Sequence, residues 1–368
     1  MSDEEIRRPS KKIKLLLSDL HLGRGRLLED GRLNSFEEFY YTEKLVEFIQ
    51  YYSAGAFREY DVEIIINGDF LNFLQVDYKS HYLTTITESI AVEILKSILD
   101  GHDHVFKAMG EFLSQPFRKI TYVVGNHDQP MMFQGCRDYL DKYIGRPLQY
   151  KNIVYLVDGI HIEHGHMHEA VNRMDPRKLF IKQGLLEPIL NLPLGSHFFI
   201  EFVLKVKEKY PHVDKIRPFD MMIKWALFND PKMLFVIFGL LIKYFYKLLF
   251  SPDKRYNWSF RKVLKIFLSS AIFPDLSHSA RKILTDDRVH SVVFGHTHVY
   301  EYKKWGAKKE YFNTGTWTEL TSLDVTSFGK ITKLTYVLFD YIEGDQEPHG
   351  RLKEWKGFHR IEEDVVVA

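Results

Sequence analysis

Short apolar runs that end in polar clusters mark the first half and the last quarter of the chain. Ile13 to Ser18, IKLLLS, predicts a buried strand by its length and lack of alternation, and Glu63 to Asn67, EIIIN, predicts a second. Thr121 to Val124 is a third, shorter run. IVYLVDGIHIEHGH predicts a hairpin turning at Asp158 and Gly159. SVVFGH and EYFNTG are two more strand-to-loop junctions, and Lys330 to Asp340 alternates as a half-exposed strand. Helical spacing covers Phe36 to Tyr52 and Thr84 to Leu113, the latter with a break at DGHDH. The tail after Glu343 is polar and adds little.

The pattern changes between about 175 and 275. HFFIEFVLKVKEKY, KMLFVIFGLLIKYFYKLLF and WSFRKVLKIFLSSAIF are helical, apolar and aromatic. Pro193, Pro211, Pro218, Pro231, Pro252 and Pro274 punctuate the region at positions that suit helix ends. It reads as a helical insertion between two strands of a main α/β domain that runs over 13–343. Residues 1–12 are expected to be a flexible N-terminus and 344–368 a tail.

Composition narrows this picture. A chain of 368 residues is long for one domain and short for two, which agrees with one core plus an insertion. The formal net charge of +1 argues against a protein held to nucleic acid by bulk charge, so no stable nucleic-acid partner is expected. The single cysteine, Cys136, excludes an intrachain disulfide and a cysteine-based zinc site, and points to a reducing, cytoplasmic setting. The start, MSDEEIRRPSKKIKLLL, lacks the order of a secretory signal. The near-neutral total hides a basic insertion, with fifteen Lys and Arg against seven Asp and Glu between Lys182 and Phe273. KMLFVIFGLLIKYFYKLLF is too short and too charged for a bilayer span of about 20 apolar residues. Two readings of the insertion stand. One is an interfacial helix on anionic lipid at the inner face of a membrane, with Lys243 and Lys247 as its polar edge. The other is a cap whose apolar faces pack on one another.

Five apolar runs end in clusters rich in metal-ligating types: SDLHLG (Asp19, His21), NGDFLN (Asp69), VGNHD (Asn126, His127, Asp128), EHGH (His164, His166) and FGHTH (His296, His298). Loops at strand carboxyl ends of an α/β sheet meet in one crevice, so these residues are expected to converge. Carboxylate, imidazole and amide oxygen without thiolate suit a pair of hard or borderline divalent cations, with manganese first and iron or zinc as alternatives. Two ions about 3.5–4 Å apart need a bridging ligand, which a carboxylate such as Asp69 can supply, and such a pair serves in-line phosphoryl displacement.

This ordered set, D-x-H, GD, GNHD, H and GHTH, closely resembles the calcineurin-like metallophosphoesterase superfamily, over Ile13 to Asp175 and Ser279 to about Asp340. The resemblance implies a four-layer β-sandwich flanked by helices. It implies Asp19, His21 and His298 on one metal, Asn126, His164 and His296 on the other, and Asp69 bridging. His127 would face the scissile phosphate and help protonate the leaving oxygen, with Asp128 orienting it. The UDP-2,3-diacylglucosamine hydrolase-like branch carries a helical lid at the place of the insertion, and SDLHLG and GHTH also resemble it. GNHD departs from that branch, which has arginine where His127 stands, and the insertion is longer. The implied activity is hydrolysis of a phosphodiester or pyrophosphate bond in a lipid-linked or nucleotide-containing substrate. A nucleotide or nucleic-acid phosphodiesterase and a non-enzymatic metal-binding scaffold of the same fold are the alternatives.

Arg24, His166 and Asn313 are candidate substrate contacts, and His168 shares that reading. Arg24 also reads as a solvated loop charge, and Asn313 as a turn residue closing the site. Asn72 stands where many relatives carry a second acid. His102 and His104 look metal-like but fit a polar helix break.

Overall fold

A computed structural model describes residues 11–28, 30–182, 184–211, 213, 216–217, 219–251, 275–322 and 329–357. The third apolar segment of the insertion, WSFRKVLKIFLSSAIF, lies outside the described residues.

Parallel strands form the middle of two sheets. The first comprises β1 (Lys11–Leu17), β2 (Tyr60–Asn67), β3 (Arg118–Val123), β4 (Gln149–Lys151), β10 (Thr335–Tyr341) and β11 (His349–Glu354), in the order β11-β10-β1-β2-β3-β4. The second comprises β5 (Val154–Val157), β6 (Ile160–Glu163), β7 (Ser291–Phe294), β8 (Tyr300–Trp305) and β9 (Lys309–Thr314), in the order β8-β9-β7-β6-β5. β1 through β4 run parallel, as do β6, β7 and β9; β10 pairs antiparallel with β1 and β11, β8 with β9, and β5 with β6.

Strand periodicity separates three cores. Leu16, Ile65, Val123, Val337 and Phe339 of the first sheet meet Ile160, Ile162, Val293 and Phe312 of the second. The alternate residues, such as Leu15, Ile64 and Tyr122, face helices α1 (Thr42–Ser53), α2 (Glu88–Gly101), α3 (Asp103–Leu113) and α4 (Gln134–Ile144). Val292, Phe294 and Tyr311 of the second sheet meet α9 (Ser277–Ile283) on its far side. Burial on both faces is why β1 and β2 read as continuous apolar runs. Lys14 and Glu63 are the polar exception: both are buried and paired, with Thr121 and Tyr155 also bonded to the carboxylate.

Three segments differ from their sequence expectations. The helix expected from Phe36 begins only at Thr42, because Glu37 accepts from Gly23, Gly25 and Phe39 backbone N–H groups and holds 36–41 as a loop. The strand expected over Lys330 to Asp340 is divided into Gly329–Ile331 and β10, and β10 is buried rather than half-exposed because β1 and β11 flank it. The polar tail supplies β11, an edge strand whose pairing with β10 compensates for its weak strand composition.

The insertion contributes α5 (Leu194–Phe198), a π-helical turn over Phe199–Val203, α6 (Leu204–Lys207), α7 (Phe219–Asn229) and α8 (Pro231–Phe250). Asp230 caps α8 by accepting from Met233 N, with Pro231 at its first turn. The insertion is tied to the sheets' domain by Lys207, a buried lysine whose Nζ lies 2.7 Å from Glu38 Oε1 and 3.1 Å from Gln75 Oε1.

Candidate metal centre

All five clusters sit just past the carboxyl ends of β1, β2, β3, β6 and β7, on one rim of the facing sheets. The chain bends there at unusual cost. Asp19, His21, Asp69, His296 and His298 have φ of +54°, +53°, +50°, +70° and +61°, and account for five of the nine described non-glycine residues with positive φ. Each such residue costs of order 1 kcal/mol or more, and the surroundings must hold it. Asp19 N donates to Gly68 O (3.1 Å), His21 N to Asp69 O (2.9 Å), and Thr316 Oγ1 to Asp19 O (2.6 Å). Two glycines make the crowding possible: a Cβ on Gly68 would lie 2.6 Å from the His164 ring, and one on Gly125 would lie 2.2 Å from Asp69 Oδ1.

The side chains converge. His298 Nε2 lies 3.3 Å from Asp19 Oδ1 and 3.0 Å from His21 Nε2. His164 Nε2 lies 3.1 Å from Asp69 Oδ2 and 3.8 Å from Asp19 Oδ1. Asp19, His21 and His298 form one group whose ligand atoms are all within 4.8 Å of one another; Asp69, His164 and His296 form a second. Asp69 also groups with His21 and His127, so it touches both sides of the centre.

The donor set fits divalent cations. His164 Nδ1 donates to Asn67 O at 2.9 Å, which leaves Nε2 aimed at the carboxylates. Asn126 Oδ1 is a buried atom with no hydrogen-bond partner. Burial opposes charge on His164, but the Asp69 and Asp19 carboxylates push it up to about 10. His164 therefore holds a proton between two carboxylates where the donors favour a cation, and cation binding there is coupled to proton release. Burial also opposes ionisation of Asp69 and Asp19, yet His164 keeps both below the usual carboxylate range. At His127 burial prevails and pushes the imidazole down to about 3.

The residues around this centre differ in several roles from the sequence reading. Asp128 does not orient His127. It accepts from Tyr122 Oη (2.6 Å), Phe70 N (3.0 Å) and Gly125 N, so it shapes the two loops instead. The partner of His127 Nδ1 is Asn72 Oδ1, at 2.9 Å, while His127 N donates to Asp69 Oδ1 at 2.8 Å. Asn313 is fully buried; its amide donates to Gly295 O (2.8 Å) and Thr297 Oγ1 (3.1 Å), bracing the loop that carries His296 and His298 rather than facing a substrate. Arg24 pairs with Asp77 at 2.6 Å and is not among the residues lining the cavity over the centre. His166 is also absent from that lining: it is buried beside His164, with ring centroids 5.5 Å apart. His168 bonds Glu163 and stacks on Phe294. His102 sits buried between α2 and α3 near Glu37, and His104 is exposed; neither joins the centre.

Glu169 was not legible as a site residue. Its Oε2 lies 2.6 Å from His296 Nε2, and it accepts from Asn172 at the start of the insertion. The available signal was an acid five residues past His164 in EHGHMHE.

A cavity of about 1140 Å³ stands over the centre. Asp69, Asn126, His127, Glu169, His296 and His298 form its polar end, and Phe198, Phe199, Phe202, Val206, Leu234 and Phe245 of the insertion wall the rest. Phe199 meets His127 edge-on, with ring centroids 4.9 Å apart.

No family model and no curated protein matches the chain. Among solved structures, it is similar to Vps29 of Entamoeba histolytica complexed with Zn+2 (11% identity, 93% of this chain and 99% of that one, TM-score 0.26). It is also similar to Vacuolar Protein Sorting 29 of Cryptosporidium parvum (12%, 94% and 97%, TM-score 0.24). A third is a dimetal phosphatase of Danio rerio (9%, 94% and 99%, TM-score 0.33). Likenesses this low carry no argument about this chain.

Proposed function

We propose that the protein is a two-metal phosphoesterase that hydrolyses a phosphodiester or pyrophosphate bond in a lipid-linked substrate. The observation that carries the reading is the joining of a metal-ligating cluster to a large apolar cavity in one continuous space. The helix–sheet–sheet–helix order supports the four-layer sandwich expected of the metallophosphoesterase fold.

Asp19, His21 and His298 would hold one cation, and Asn126, His164 and His296 the other, with Asp69 between them. Manganese is the first expectation, with iron or zinc as alternatives. When bound, such a pair supplies Lewis acidity to the phosphoryl oxygens. Asn72 directs its Nδ2 toward Glu38 and its Oδ1 toward His127, so the His127 proton sits on Nδ1 and Nε2 faces the centre. An anionic phosphate there opposes the burial that depresses His127, letting Nε2 hold a proton taken from solvent. As a water attacks phosphorus and the P–O bond to the leaving group breaks, that proton passes to the leaving oxygen and the proton lost by the water returns to solvent. The insertion acts as a lid: Phe199 fixes the His127 ring, and the aromatic walls exclude water and accept an acyl or prenyl chain. The cavity is somewhat larger than the roughly 300–1,000 Å³ typical of small-molecule sites, and far more apolar than a bare phosphate ester requires.

The test is hydrolysis of bis-p-nitrophenyl phosphate with added manganese. His127→Ala is expected to lose about 10²–10⁴-fold in rate while keeping its metal. A wild-type protein that binds two manganese ions and turns over no phosphoester would reject the enzymatic reading.

A further inference from the structure

The helix that walls the cavity is apolar on two opposite sides. Met233, Ile237, Leu240, Tyr244 and Leu248 of α8 pack inward. Phe235, Phe238, Ile242, Tyr246 and Phe250, also at helical spacing, are exposed. At 20 residues the helix is longer than the sequence reading allowed, and by length and composition alone it could cross a membrane; little of its most apolar stretch is buried. Such a face is unfavourable in water and marks an interaction surface.

Two observations identify what covers it. The first is charge. α8 carries Lys232, Lys243 and Lys247 and no acidic residue. Lys232 and Lys243 are exposed beside the stripe, whereas Lys247 Nζ pairs with Glu201 Oε1 at 2.8 Å. Lysines bordering aromatic side chains complement anionic headgroups above an apolar layer. A second copy packed face to face would instead bring like charges together. The second observation is continuity. Phe235 and Phe238 line the cavity, yet they are 76% and 62% exposed on the outer stripe. The mouth of the cavity thus opens onto the apolar face, while its other end holds His127, His296 and His298.

The geometry points to the outer face of α8 as an interfacial docking surface for an anionic bilayer. The exposed stripe lies among the acyl chains, the lysines lie at the headgroups, and the lipid part of the substrate passes from the bilayer into the cavity without crossing water. This rests on the reading of the cavity as a lipid-chain site, but its test does not depend on catalysis.

The full chain is floated with vesicles of phosphatidylcholine alone and of phosphatidylcholine mixed with phosphatidylglycerol. Wild type is expected to rise with the mixed vesicles and to stay below with the neutral ones. Ile242→Glu/Phe250→Glu, away from the cavity lining, is expected to bind at least about tenfold more weakly. Lys232→Gln/Lys243→Gln, changed only at exposed positions, is expected to lose about fivefold per lysine on mixed vesicles. All three proteins should turn over soluble bis-p-nitrophenyl phosphate at the same rate. Wild type that stays below with both vesicle types overturns the inference, as does undiminished flotation of both variants. So does a wild-type dimer in light scattering that Ile242→Glu/Phe250→Glu dissociates. Absence of soluble turnover in a wild type that floats rejects the phosphoesterase reading and leaves the docking surface standing.

Discussion

Lys207→Met tests how the insertion is held over the centre. Lys207 Nζ lies 2.7 Å from Glu38 Oε1, and the two side chains are only 1% and 10% exposed. Removing one partner of such a pair takes the nearest counter-charge from the other in a poorly solvated site, at a cost of up to about 3–5 kcal/mol. The slight exposure of Glu38 favours the lower end, about 3 kcal/mol. For a chain of this size that lowers Tm by about 5 °C in a thermal melt. The effect also reaches the site, because Glu38 Oε2 lies 3.5 Å from Asn72 Nδ2 and Asn72 Oδ1 lies 2.9 Å from His127 Nδ1. Without the Lys207 charge, Glu38 draws more strongly on the Asn72 amide and turns it from its present orientation, so phosphoester hydrolysis should slow while metal content stays constant. Neutralising Glu38 as well, in Lys207→Met/Glu38→Gln, should recover all but about 1 kcal/mol, because no buried charge is left alone. The reasoning is refuted if Lys207→Met melts with wild type, or if the double variant is no more stable than the single one.

Other consequences follow from the same contacts. Glu169→Gln replaces the carboxylate against His296 Nε2 and should weaken manganese binding about 10–100-fold in a competition titration, with little change in Tm. Glu63 is buried, but Lys14 holds its carboxyl below the ordinary value of 4.5. The unfolded chain therefore takes up that proton first, and the stabilisation is full above 4.5 and lost as pH falls through the lower folded value. Melts as a function of pH should find Glu63→Gln less stable than wild type near neutrality, with the gap narrowing below pH 4.5.

Much of the candidate site was legible because its ligands lie at strand ends. An apolar run followed by a polar cluster is a local signal, and the parallel order of β1 to β3 and of β6 and β7 brings the clusters to one rim. The supporting residues were less legible because their partners are distant in sequence. Asn72 and His127 are 55 residues apart, and Glu169 and His296 are 127 apart. The resemblance implied that Asp128 orients His127, but its carboxylate turns to backbone N–H groups and to Tyr122. Local pattern also misled at the start of α1. Phe36 and Phe39 keep helical spacing, but the bonds to the Glu37 carboxylate prevail over helix propensity. β11 lacked any apolar run and exists through its ladder with β10.

The central claim is that Asp19, His21, Asp69, Asn126, His164, His296 and His298 gather around two cations. Elemental analysis of protein equilibrated with manganese and freed of unbound ion tests it most directly. The account predicts two equivalents per chain in the wild type and at most one in Asp69→Asn, which loses the group shared by both sides. Only a trace of ion in the wild type, after manganese, iron and zinc in turn, would contradict it.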